Sequence, residues 1–93
     1  MKNIYIEKYN QLIPLMNKLA KQNYDIWEYH DNYSGYGFNI IFKSEFINVI
    51  VFDDYYIVRL SKMTNNILLG KSLKSTQAKN NNEIYEIIKK WGY

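Results

Sequence analysis

Two periodicities divide the chain. Tyr5, Tyr9, Leu12, Met16 and Leu19 recur at steps of four and three, the spacing of one helical face. Pro14 lies inside this run, and a proline within a helix removes a backbone hydrogen bond and crowds the preceding turn. The pattern admits two forms: a helix from about residue 4 with a kink, or one starting near Gln11 behind an Asn10 cap, with residues 3–6 as a short strand. Either form ends near Gln22-Asn23.

From 24 to 70 the period changes to two. In 24–31, Ile26 and Trp27 fall on opposite faces of a strand. Tyr36, Phe38, Ile40 and Phe42 alternate with Gly37, Asn39 and Lys43. Residues 46–52 are apolar on nearly both faces, which places them centrally in a sheet, and 55–60 follow after a tight turn at Asp53-Asp54. Residues 32–35, 43–45 and 63–66 are further turns, and Ile67-Leu68-Leu69 is expected as a short fifth strand at the edge. Connections this short make neighbours antiparallel. The period then returns to the helical one, with Ile84, Ile87, Ile88 and Trp91 at i, i+3, i+4 and i+7. Asn80-Asn81-Asn82-Glu83 supplies a start resembling a capping box, with Thr76 as an earlier candidate cap. The expected architecture is α+β: an N-terminal helix, a four- to five-stranded antiparallel meander sheet and a C-terminal helix, in a single domain over 1–93.

Composition narrows the chemistry more than it names it. The chain has 93 residues and no cysteine, which removes disulfides, thiolate metal sites and cysteine nucleophiles. No apolar run is long enough to cross a bilayer or to serve as a signal peptide, so a cytoplasmic location is expected. Asparagine, isoleucine, lysine and tyrosine make up 46 of the 93 residues, while Arg59 is the sole arginine. These four residues share AT-rich codons, so the bias reflects a low-GC genome and discounts tyrosine and lysine numbers as functional signals. A net charge of +3 is too mild to imply a partner.

Catalytic constellations are missing from the pattern. His30 is the only histidine, and its neighbours Tyr29 and Asp31 alternate faces in a strand, so Asp31 is poorly placed to orient it. Asp53-Asp54 could bind a cation or act as an acid–base pair, but a turn explains both residues. The five serines have no histidine at a recognisable spacing, and no glycine-rich phosphate loop exists. No enzyme, metal or cofactor is expected.

Two surfaces remain as binding candidates. Tyr24, Trp27, Tyr29, Tyr33, Tyr36, Tyr55 and Tyr56 crowd the strand half of the chain, and helices on one sheet face leave many of them pointing outward. Trp27, Tyr29, Tyr33, Tyr36, Tyr55 and Tyr56 are therefore the expected partner contacts, because exposed tyrosine and tryptophan supply contact area at low entropic cost. The alternative is nucleic acid. No acidic residue occurs between Asp54 and Glu83, whereas Arg59, Lys62, Lys71, Lys74 and Lys79 do. On one face they would form a phosphate-binding strip.

Gly35-Tyr36-Gly37-Phe38, with Ile4-Tyr5-Ile6 upstream, resembles the paired motifs of RNA-recognition domains, whose aromatics stack on bases. Ser34 stands where that family has a basic residue, Asn39 and Ile41 where it has an aliphatic and an aromatic, and 46–52 reads as a strand where it has a helix. Residues 70–80, with Ala78-Lys79-Asn80, resemble the basic helix start of double-stranded-RNA-binding domains. Taken whole, a small, AT-biased α+β chain with a tyrosine-rich sheet resembles in type the short inhibitor proteins of phages and mobile elements, such as anti-CRISPR proteins. That resemblance implies a non-enzymatic protein, monomeric or homodimeric, that binds and inhibits a larger host protein or nucleoprotein complex in a bacterial cell. The acidic surfaces of DNA mimics do not fit a charge of +3, so aromatic and polar contacts are expected instead.

Overall fold

Pro14 divides the N-terminal helical segment in two. In the computed structural model, which describes residues 4–31, 35–64 and 71–93, α1 (Ile4–Gln11) and α2 (Ile13–Lys21) meet at Leu12. Pro14 has no N–H to give the carbonyl one turn back, so the ladder is interrupted there. Leu12 N–H donates to the Tyr9 carbonyl at 2.9 Å and the Leu12 carbonyl receives Met16 N–H at 2.9 Å. Of the two forms the sequence admits, the helix from residue 4 is the one observed, and residues 4–6 are not a strand.

Five strands follow in chain order: β1 (Asp25–Asp31), β2 (Gly35–Ile41), β3 (Glu45–Val51), β4 (Tyr56–Lys62) and β5 (Ser72–Ala78), and then α3 (Asn81–Lys90). They form one antiparallel sheet in the order β1-β2-β3-β4-β5. The expected α+β fold is the observed one, with 46–52 central. The proposed strand at Ile67-Leu68-Leu69 lies outside the described residues. The fifth strand is Ser72–Ala78, and Thr76 belongs to it rather than to a helix cap.

All three helices cover the same side. Phe38, Ile40, Ile47, Val49, Val58 and Leu60 point to that side, and with Leu12, Leu15, Leu19, Ile84 and Ile88 they make one buried cluster. Leu12 fills the break between α1 and α2, so the proline-induced interruption sits over the core and costs no burial.

Local signals end the helices cleanly. The Asn80 side chain accepts from Glu83 N–H at 3.0 Å and the Glu83 carboxylate accepts from Lys79 N–H at 3.1 Å, a reciprocal N-terminal cap. α2 and α3 both finish in Schellman turns around left-handed residues, Asn23 (φ 69°) and Gly92 (φ 93°). The residues just past those turns then meet: the Tyr24 hydroxyl donates to the Tyr93 carbonyl at 2.5 Å. The Tyr93 hydroxyl in turn donates to the Glu45 carboxylate at 2.5 Å, tying the end of α3 to the start of β3.

Candidate functional site

Strand register sorts the side chains into two sets. Ile26↔Ile40, Phe38↔Val49 and Val49↔Val58 run under the helices, so Trp27↔Asn39, Asn39↔Asn48 and Asn48↔Arg59 run across the opposite face. No helix of the described residues packs on that face. It carries Asp25, Trp27 and Tyr29 from β1, Gly37 and Asn39 from β2, Asn48 and Ile50 from β3, Ile57 and Arg59 from β4, and Ser75 and Gln77 from β5. Phe46 and Ser61 lie at one end of it and are buried, so the accessible part centres on β1 and the middle of β3 and β4.

Trp27 is 59% exposed, the most exposed large apolar side chain among the described residues. Its indole N–H donates to the Asp25 carboxylate at 2.9 Å, which fixes the ring on the surface. Tyr29 lies opposite Gly37 in the ladder, and its hydroxyl crosses β2 to accept from the Asn48 amide at 2.9 Å. The same amide donates to the Asn39 side-chain oxygen at 2.9 Å. Burial pushes the Tyr29 phenol above its ordinary range, and the Asn48 hydrogen bond and the Arg59 charge pull partly against it. The result is a fixed polar lattice beside an exposed indole, with half-buried Ile50 and Ile57 in the next rows.

The expected contact residues separate on this frame. Trp27 and Tyr29 share the uncovered face. Tyr55 sits in the β3–β4 turn, half-buried, its ring stacked on Phe52 at 5.3 Å and 12°. Tyr36 is on the helix side instead, stacked on Tyr5 (6.4 Å, 6°) and beside Tyr9 (6.3 Å). Tyr56 is a core residue, 2% exposed, with its hydroxyl donating to the Lys8 carbonyl at 3.3 Å and the Lys8 ammonium over its ring at 4.6 Å. Tyr36 and Tyr56 are thus packing residues, a correction that follows from strand parity. Tyr33 lies outside the described residues.

The basic stretch does not form one strip. Arg59 points to the uncovered face, while Lys62 and Lys74 pair with Glu45 and Leu60 on the helix side. The Lys74 ammonium lies 5.9 Å from the Trp91 ring centre, and Lys71 and Lys79 are exposed at the two ends of β5. Phe38 of the Gly35-Tyr36-Gly37-Phe38 segment is fully buried under the helices, so that segment presents no aromatic platform for stacking bases. β3 occupies the position where an RNA-recognition domain would need a helix. Residues 72–78 of the second resembling segment form a strand.

The remaining candidates have structural partners. Asp53 accepts the Tyr5 hydroxyl, which raises that phenol above its ordinary range and joins α1 to the β3–β4 turn. His30 is exposed on the helix side, its ring 5.4 Å from that of Tyr9. The described residues hold no cluster of three metal-ligating side chains and no helix long and apolar enough to cross a membrane. Sequence reasoning passed over Asn39 and Asn48. Their signal was that each is a lone amide in the middle of an otherwise apolar strand.

Comparison with protein-family models, with curated proteins and with solved structures returned no match.

Proposed function

We propose that this chain is a non-enzymatic binding protein that docks on a larger protein through the uncovered face of its sheet. The observation that carries the reading is Trp27, fixed by Asp25 and 59% exposed, beside the Tyr29–Asn48–Asn39 lattice. A tryptophan held rigidly on the surface loses little entropy on binding, and such residues dominate interface energetics. The polar lattice around it is already hydrogen-bonded and loses little when covered. Inhibition of a bacterial host protein, in the manner of anti-CRISPR and related counter-defence inhibitors, is the specific form we propose for that binding; it rests on the resemblance of type. The division of Arg59 from Lys62 and Lys74 supports a protein partner over nucleic acid, because a phosphate strip needs its bases on one surface.

Site-directed photocrosslinking in a bacterial host cell tests this. A photoreactive phenylalanine at position 27 is expected to yield a discrete heterologous adduct, absent when the same group is placed at position 90 on α3. Adducts from position 90 alone would overturn the reading. A salt-sensitive shift of mixed DNA and RNA probes by the purified chain, tighter than about 10⁻⁴ M, would favour a nucleic-acid module instead.

A further inference from the structure

The free edge of β1 and the outer flank of α2 make a single groove. β1 ends the sheet, so its outer backbone groups have no strand beside them among the described residues. α2 lies over β1, and Ile13, Met16, Asn17 and Ala20 line, with Ile26 and Glu28, a depression of about 410 Å³. The α2 residues follow one helical stripe, adjacent to the stripe that enters the core. The helix therefore overhangs the sheet edge with partly apolar surface, Ile13 being 41% exposed and Ala20 exposed as well.

We propose that this groove receives an extended, basic segment of a partner protein, added as a strand beside β1. An unpaired strand edge offers main-chain hydrogen bonds only to an extended backbone, and a flanking helix creates side-chain pockets at every second position. The period of two fixes the rest. Side chains turned toward α2 meet Ile13, Ala20 and Ile26 and must be apolar; those on the other side continue the face that carries Asp25 and Trp27. On that other side β1 carries exposed Asp25, and the strand has no lysine or arginine, which selects basic side chains at the alternate positions of the incoming segment. Of the two bases on α2, Lys18 lies over the Tyr85 ring at 3.9 Å, on the α3 flank, and Lys21 is in the last turn. The proposal takes its pockets from the edge and the helix side of β1 and meets the uncovered face at Asp25.

The test is fluorescence anisotropy with the purified full chain and a dye-labelled octapeptide alternating valine with lysine. Saturable binding is expected. N-methylation of alternate peptide amides, which removes the strand's donors, should weaken it at least tenfold, and so should Ala20→Trp, which fills the groove from an exposed position. Replacing the peptide lysines by glutamate should abolish binding to the natural chain, with binding regained by the Asp25→Lys variant, whose side chain lies on the lysine side of the strand. Absence of saturation up to about 1 mM, or affinity unchanged by both N-methylation and Ala20→Trp, would overturn the proposal. So would a concentration-dependent dimer abolished by Ala20→Trp with no peptide binding, because that would assign the groove to a second copy, whose β5 carries exposed Leu73 and Lys74. Circular dichroism of both variants separates loss of binding from loss of fold.

Discussion

Gly37 leaves the space through which Tyr29 reaches Asn48. A methyl group at Gly37 would stand 2.9 Å from the Tyr29 hydroxyl and 2.0 Å from the Val49 carbonyl oxygen. The second distance is to backbone in the central strand, which cannot step aside as a side-chain tip can. Gly37→Ala is therefore expected to lose about 2 kcal/mol or more of unfolding free energy in urea titration, through overpacking and a displaced ladder. A loss within about 0.5 kcal/mol would show that β2 and β3 have slack the geometry does not suggest.

Tyr55 and Tyr56 are adjacent in sequence and opposite in role. Tyr56→Ala removes a ring that is 2% exposed and is expected to destabilise by about 3 kcal/mol. Tyr55→Ser gives up a stacking contact with Phe52 in a turn and should cost about 1 kcal/mol. Equal losses from the two variants would contradict the placement of these side chains.

That pair also marks the boundary between what the residues announced and what they withheld. Alternation over 36–42 and the apolar run of 46–52 were enough to set those two strands and the central place of the second, and reading 24–31 as a strand set Ile26 and Trp27 on opposite faces. Parity could not be carried across Asp53-Asp54, because a turn of unknown length shifts the phase by one and inverts every later side chain. Tyr56 consequently looked as available as Tyr55. Ser72–Ala78 was hidden for another reason. Its residues are exposed except Ala78, so no buried face writes a period of two into it, and it is a strand by virtue of its ladder with β4. Arg59 and the lysines around it read as one basic run in sequence, yet pleating sets Arg59 on the face opposite Lys62 and Lys74.

The cap of α3 is an independent check on the C-terminal segment. Asn80→Ala leaves the Glu83 N–H without its side-chain acceptor and is expected to cost about 1 kcal/mol, with Asn80→Asp or Asn80→Ser close to the natural stability. Since Ile84 and Ile88 of the same helix are fully buried, the loss should appear in global unfolding and not merely as fraying.

Alkaline pH should loosen the chain at two tyrosine–carboxylate contacts. The Tyr93 phenol, hydrogen-bonded to Glu45 and partly desolvated, is pushed up to about 12 from an ordinary value of 10.0. Burial and the hydrogen bond to Glu28 hold the Tyr9 phenol higher still. A raised folded-state value means that the native chain keeps a proton which the unfolded chain releases. The contribution is whole below about pH 10 and falls away as pH rises through the folded-state value. Stability is thus expected to decline from about pH 10 to about pH 12, beyond any decline in Tyr93→Phe. The gap between the natural chain and Tyr93→Phe should narrow over that interval in denaturant titrations at fixed pH, and the Glu45→Gln variant should bring the Tyr93 titration back toward its ordinary range in near-ultraviolet absorbance. A gap that stays constant to about pH 12 would mean that the Tyr93–Glu45 contact does not hold the proton in solution.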